Sequence, residues 1–303
     1  MISVIMSTYN EPMEYIKQSI ISILDQSYAD IELIVGIDNP KRSDIIDYIK
    51  TIAKTDTRIR YVINKKNLGL TKTLNKLVNE ANGQYIARMD ADDISLAHRL
   101  QEQLDFLKKN DLDITGCYIH DIDENGNTRS SKATKYPTKD HAIKEYLKYD
   151  SAIPHPTWLA KSSVFKENKY IDYDACEDYE LLTRLSLKKY KMGNLSRVGL
   201  YYRINNKGIS RSKTIEQRLS KIFIRDNYRK KKISNYTNYQ NFKNSKKGIE
   251  AHRELEKFYE ERKRISKLPY VTKIAASVKL LTKSDFARQL VINEIRKRFL
   301  INE

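Results

Sequence analysis

The chain opens with an apolar run, Ile2 to Met6, closed by the polar turn Ser7-Thr8-Tyr9-Asn10. Over 12–26 the apolar positions Ile16, Ile20, Ile23 and Leu24 recur at helical spacing, with Pro12 near the first turn, where a missing N–H costs little. A second apolar run, Ile31 to Ile37, ends in Asp38-Asn39-Pro40. The pattern then predicts a helix around 43–54 and a strand at Ile59 to Ile63. A helix opens at Asn67-Leu68-Gly69 with Leu70, Leu74, Leu77 and Val78 as its stripe. A strand at 84–89, a helix from near Leu96 to about Lys109, and a strand at Ile114 to Ile119 follow.

Continuously apolar strands alternating with amphipathic helices across short loops define an α/β chain. They imply a mostly parallel sheet with helices on both faces. The polar ends of successive strands gather on one edge: Ser7 to Asn10, Asp38, Asn67 and Asp90 to Asp93. Ligands of open α/β sheets bind at that edge. No GxGxxG follows the first strand and no GxxxxGK[ST] occurs anywhere, which disfavours a dinucleotide fold and a P-loop.

Further along, Glu124-Asn125-Gly126 sits at the tip of a hairpin turn over 121–127, a composition suited to φ > 0. Residues 138–149 read as a short helix. Ile153-Pro154-His155-Pro156-Thr157-Trp158 reads as a rigid extended segment, because prolines restrict their own and the preceding backbone. Trp158, the single tryptophan, fits a sugar-binding wall and a packed core equally. An amphipathic helix runs through Leu181, Leu182, Leu185 and Leu187, and strands around 194–204 end in Tyr201-Tyr202-Arg203-Ile204-Asn205. From about Ser212 the alternation stops. Basic helices are predicted at 213–233 and 246–265. Pro269 interrupts, and a last helix near 284–300 places Phe286, Leu290 and Ile295 against Arg296-Lys297-Arg298.

Composition bounds the class. The chain has 303 residues, 40% hydrophobic and 31% charged, enough for one large domain plus an appendage. No apolar run approaches the roughly 18 residues of a membrane span. The start, MISVIMSTYN, lacks a basic n-region and a cleavage site, so it reads as mature protein. Two distant cysteines, Cys117 and Cys176, fit a reduced, cytoplasmic compartment and form no metal or redox motif. Charge is unevenly spread. Residues 1–210 carry 31 Lys and Arg against 29 Asp and Glu, while residues 211–303 carry 25 against 10, a net of +15 within the total of +17. The expected division is an enzyme domain over 1–210 and a basic helical region over 211–303 that meets a polyanion or an anionic surface.

The candidate chemistry centres on QYIARMDADD, residues 84–93. A strand ends there in Asp90, Asp92 and Asp93. Crowded carboxylates repel one another unless a cation joins them, and a divalent metal carrying a phosphate is such a partner. The same residues also suit a strand-to-helix turn with Asp93 or Ser95 as cap. A second acidic group, Glu177-Asp178, opens the helix after 172–176. It fits the helix dipole, and it can equally present a carboxylate as general base.

The order of these motifs resembles family 2 glycosyltransferases, inverting enzymes with the nucleotide-diphospho-sugar transferase (GT-A) fold. The resemblance covers roughly residues 1–210. It is carried by SVIMSTYN, QSIISILDQSYADIELIV, NLGLTKTLNKLVNEANGQYIARMDADD, HPT at 155–157 and EDYELLTRL at 177–185. The resemblance implies that Ser7 and Tyr9 meet the nucleobase and that Asp38 hydrogen-bonds it. It implies that Asn67 and Gly69 lie beside the nucleoside, and that Asp90 and Asp92 are the DxD acids. These face the ribose and hold Mn2+ or Mg2+ on the diphosphate. Asp178 matches the family's general base, with Glu177 beside it. Two departures stand out. One acid replaces two at Ile37-Asp38, and Asn205 stands where many members carry a histidine near the diphosphate.

Glycosyl transfer needs a neutralised leaving diphosphate and a base for the acceptor hydroxyl. Single displacement needs no enzyme nucleophile, and no Ser-His-Asp or Cys-His arrangement is evident. The expectation is therefore a metal-dependent transferase using a nucleotide-sugar, a UDP-sugar by family analogy. Its acceptor is a growing glycan or lipid-linked oligosaccharide in cell-surface polysaccharide synthesis. Residues 211–303 would touch an anionic membrane at its inner face, since each Lys or Arg near such a surface contributes on the order of 1 kcal/mol. The alternatives are an inactive sugar- or nucleotide-binding relative and a nucleic-acid-binding protein using its basic helices. The latter leaves the acidic motifs unexplained, so no nucleic acid is expected.

Overall fold

The computed structural model describes residues 1–204, 214–269, 276–277, 280–281 and 285–301. Its first half alternates as the sequence predicts: β1 (Ile2–Thr8), α1 (Met13–Leu24), β2 (Ile31–Ile37), α2 (Ser43–Thr55), β3 (Ile59–Ile63), α3 (Leu70–Glu80) and β4 (Tyr85–Asp90). A two-residue strand β5 (Ile94–Ser95), α4 (Arg99–Lys109) and the long β6 (Ile114–Ile122) follow. Then come α5 (Asp140–Tyr146), β7 (Leu159–Lys161), α6 (Ser162–Glu167), α7 (Glu177–Leu187) and β8 (Met192–Arg203). Toward the end of the chain the described residues include α8 (Thr214–Arg229), α9 (Tyr236–Asn244), α10 (Lys246–Ser266) and α11 (Asp285–Ile301).

The strands form one sheet of eight in the order β3-β2-β1-β4-β7-β6-β8-β5. β1, β2, β3 and β4 run parallel, as do β6 and β8, while β7 and β5 pair antiparallel with their neighbours. Alternate strand residues divide between two cores. Ile5, Ile34 and Ile86 face α3, α6 and α7 on one side. Val4, Met6, Leu33 and Val35 face α1, α2 and α4 on the other. Burying both faces explains the unbroken apolar runs, and each such residue contributes about 2 kcal/mol by leaving water. Gly36 lets α3 sit close on β2, since a Cβ there would meet Thr73 Cγ2 at 2.8 Å.

Several expectations needed correction. The helix foreseen from Leu96 starts at Arg99, because Ile94 and Ser95 pair with Tyr201 and Leu200 as a sheet edge. Neither Asp93 nor Ser95 caps a helix: Asp93 accepts from the Arg203 backbone and Ser95 Oγ from Gln26 Nε2. The segment around His155 is a 3-10 turn, His155–Thr157, closed by the Thr157 N–H and hydroxyl on the Pro154 carbonyl. Trp158 is wholly buried, donates to the Ile153 carbonyl at 3.1 Å, and is core. β7, α6 and α9 were not foreseen. On α11, Ile295 faces outward. The side chains of Phe286 and Leu290, and all of Asn205, lie outside the described residues.

The basic helices are not a detached tail. Ile224, Tyr228 and Tyr239 join the same buried cluster as Leu147, Tyr173 and Tyr179. Ser186 Oγ meets Tyr228 Oη at 2.7 Å, and Arg229 donates to the Lys148 carbonyl. Asp150 is gripped by Lys221 and by Lys297, the latter at 2.9 Å.

Candidate functional site

Parallel register brings the polar strand ends together. Ser7 pairs with Gly36 on one side and with Asp90 on the other, and Ile37 pairs with Ile63. Ser7, Asp38, Asn64 and Asp90 therefore line one edge, the carboxyl end of the parallel strands.

Asp38 is buried and commits its carboxylate to the neighbouring loop. Oδ1 accepts from Asn64 Nδ2 and the Leu68 N–H, both at 2.8 Å, and Oδ2 from the Gly69 N–H at 2.9 Å. Asn67 Oδ1 also accepts from the Gly69 N–H, at 2.9 Å. Gly69, at φ 84°, turns the chain into α3. That backbone is open to glycine and strained for other residues. Tyr9 is exposed. Its N–H and the Thr8 hydroxyl both donate to Glu11 Oε2 at 2.7 Å.

The DADD stretch closes the edge. One carboxylate oxygen from each of Asp90, Asp92 and Asp93 lies within 4.8 Å of the others. Arg88, two residues before Asp90 and on the same face of β4, is buried and ion-paired with it. Arg203, at the end of β8, donates its backbone N–H to Asp93 Oδ1 and its Nε to the Asp92 carbonyl, both at 2.8 Å. It also reaches Gln18 Oε1 at 2.8 Å and stacks 4.1 Å from the Tyr15 ring centre. Asp93 Oδ2 is buried with no hydrogen-bond partner among the described residues. Burial, with Asp90 and Glu11 nearby, pushes the Asp92 carboxyl up to about 7. Burial and the neighbouring acids raise Asp93 as well. Crowded hard oxygens, one of them unpartnered, fit a divalent cation such as Mg2+ or Mn2+.

The second acidic group opens α7, where Glu177 and Asp178 occupy the first turn. Burial and the Asp178 charge push Glu177 up to about 7, while burial raises Asp178. The Arg88 charge opposes both shifts, and at Asp178 the Lys221 charge opposes more strongly. His155 lines the same region. It meets Tyr170 Oη through Nε2 at 3.0 Å, and burial beside Arg88 keeps it neutral. Before α7 the chain passes through Asp174 and Ala175 at φ 51° and 64°, a conformation costing non-glycine residues on the order of 1–2 kcal/mol each.

Sequence reasoning thus found the acids and missed their cation. Arg88 was visible as a lone charge inside an apolar strand. Arg203 stood in a quoted motif, but its reach across the sheet depends on β8 pairing with β5.

Comparison with known proteins gives the family. The family model for glycosyl transferase family 2 matches residues 3–167. The chain therefore belongs to glycosyl transferase family 2, and it is a glycosyltransferase. An uncharacterized glycosyltransferase of Methanocaldococcus jannaschii, MJ1057, is 37% identical over 222 residues, 72% of this chain and 76% of its own. The O-antigen biosynthesis glycosyltransferase WbnJ of Escherichia coli is 34% identical over 78% of this chain and 92% of its own. Among solved structures, S. aureus TarS 1-349 with UDP-GlcNAc aligns with TM-score 0.59 at 17% identity, over 96% of this chain and 88% of its own. TarS 1-349 with UDP gives 0.58 at 16% identity, over 78% and 68%. These share the GT-A fold.

Proposed function

We propose that this enzyme is an inverting, metal-dependent transferase that moves a sugar from a UDP-sugar to a hydroxyl of a glycan acceptor. The observation that carries the reading is the cluster Asp90-Asp92-Asp93 at the carboxyl edge of the sheet, ion-paired through Asp90 with buried Arg88, together with the buried acids Glu177-Asp178 whose carboxyls are raised by burial. Relatives named for O-antigen and amylovoran biosynthesis support a place in cell-surface polysaccharide synthesis. The UDP and UDP-GlcNAc complexes of TarS support the donor class. Residues 1–210 are read as the transferase domain.

In this reading Ser7, Tyr9, Asp38, Asn67 and Gly69 line the nucleoside pocket, and Asp38 also holds the Leu68-Gly69 loop in place. Asp90 and Asp92, with Asp93 beside them, hold Mn2+ or Mg2+. A cation bound there neutralises the diphosphate as it leaves. Asp178 accepts the acceptor's proton, and its raised pKa suits it to do so near neutral pH. Glu177 keeps a second charge near it, and Arg88 holds Asp90 toward the site. The experiment is a screen of UDP-sugars with Mn2+ and extracted cell-surface glycan, read as released UDP. Release with one donor supports the reading, and no release from any donor by folded protein contradicts it.

The acceptor's setting comes from α11. No helix among the described residues is long and apolar enough to cross a membrane. Yet α11 carries apolar residues on both sides: Ala287 is buried and Leu300 and Ile301 pack on the core with buried Asn293 and Lys297, while Val291, Ile292, Ile295 and Phe299 are exposed, Phe299 to 71%. At 100° per residue these four fall on one stripe, with Arg296 and Arg298 at its edges. With the net charge of +15 over 211–303, this face suits an anionic membrane surface. That fits a peripheral enzyme on the cytoplasmic side acting on a lipid-linked acceptor.

A further inference from the structure

The loop before Glu177 and Asp178 is gripped by the helices that follow the sheet. Asp174 and Ala175 are consecutive non-glycine residues in the left-handed region. Such a conformation persists only where its surroundings over-determine it. Three side chains from α8 and α9 do so here. Tyr239 Oη donates to Asp174 Oδ2 at 2.6 Å, and Lys243 Nζ donates to the same oxygen at 2.7 Å. Gln217 Nε2 donates to the Ala175 carbonyl at 2.6 Å. The grip is itself anchored. Tyr239 is fully buried, its hydroxyl meets Ser220 Oγ at 2.6 Å, and its ring centre lies 5.2 Å from that of buried Tyr173. Cys176 precedes α7 and offers no side-chain cap, so the first turn is held by the loop before it and by buried Tyr179, whose hydroxyl donates to the Leu147 carbonyl at 2.5 Å.

We propose that Tyr239, Lys243 and Gln217 are positioning residues for the Glu177–Asp178 pair, so that the C-terminal helices complete the acceptor side of the active site. The inference rests on the reading of Asp178 as base. The sheet edge places the donor groups through β1, β2 and β4, which these three side chains do not touch. The acids of α7 directly follow a strained loop that side chains outside the sheet also hold.

The test uses the full chain and the UDP-sugar that the wild type turns over. Tyr239→Phe with Lys243→Met keeps the buried ring and removes the Tyr239 and Lys243 bonds to Asp174. The expected result is a kcat at least about tenfold lower with UDP affinity in Mn2+ changed by less than about twofold, the signature of a misplaced catalytic group. Adding Ala175→Gly relaxes the left-handed strain and restores most of the kcat. A fall in UDP affinity matching the fall in kcat means general damage and overturns the proposal. Unchanged kcat overturns it as well. Asp178→Asn separates the two layers: if it is inactive while the double variant keeps full kcat, the base stands and the positioning role falls. Should the double variant not fold, Lys243→Met alone, at a half-buried side chain, gives the same two readouts.

Discussion

Arg88 and Asp90 form an ion pair two residues apart on one face of β4, and Arg88 Nε and Nη1 have no hydrogen-bond partner among the described residues. The arginine is buried beneath three acids and beside a neutral His155. Removing one partner of a buried pair leaves the other charge uncompensated. Arg88→Met is therefore expected to cost about 3–5 kcal/mol in urea unfolding without metal. Mn2+ should restore part of that loss, because a cation at the acids replaces the missing charge. A variant as stable as the wild type would show that Arg88 does not hold the cluster together.

Asp92 behaves in the opposite way. Its carboxyl is pushed up to about 7 by burial and by Asp90, so the folded chain holds its proton more tightly than the unfolded chain does. Its effect on stability is neutral below the ordinary carboxylate range and unfavourable as pH rises through about 7. Asp92→Asn should leave metal-free stability at pH 8 equal to or above wild type, while metal-dependent UDP binding falls by about a hundredfold, as for other changes at a metal-holding shell. Thermal unfolding and calorimetry together check this, and retained metal-dependent binding would remove Asp92 from the metal set.

How much of this could be read from the chain follows from what each part depends on. β1 to β4 and their helices were legible because both sheet faces are buried and the helix stripes are local. The acids were legible because they end strands or open helices. β5, β7 and α6 were not: two- and three-residue strands carry no periodicity, and β7 exists because it fills the gap between β4 and β6. His155 lies in a turn, not an extended segment, because Thr157 closes a ring onto Pro154. Trp158 needed the fold to choose core over surface. The grip of Tyr239 on Asp174 spans 65 residues and left no local signal.

The Glu177–Asp178 pair predicts a pH profile. A base must be ionised to act, and both groups are raised above ordinary carboxylates, Glu177 to about 7. Turnover should fall on the acid side with an apparent midpoint well above that of a free carboxyl, and the midpoint belongs to the pair. Asp178→Asn should lower kcat by about a thousandfold, with UDP affinity retained. Glu177→Gln should keep measurable turnover. A profile flat down to pH 4.5 would contradict the assignment.

The outward stripe of α11 predicts vesicle binding. Ile295→Glu with Phe299→Glu should weaken sedimentation with vesicles rich in anionic lipid by at least about tenfold, because apolar burial and charge attraction add. UDP binding should be unaffected, and vesicles of neutral lipid should bind neither form well. Equal binding of the variant would move the contact elsewhere. A wild type that self-associates instead would assign the stripe to a second copy, and one that binds nucleic acid would overturn the membrane reading.

The most direct test is calorimetric titration of UDP and of GDP into the full chain, first with Mn2+ and then with EDTA. The account predicts that UDP binds more tightly than GDP and that chelation weakens it by at least about tenfold, because the three acids at the edge of β4 otherwise repel the diphosphate. Folded protein that binds neither nucleotide, or binds UDP equally well in EDTA, would contradict it.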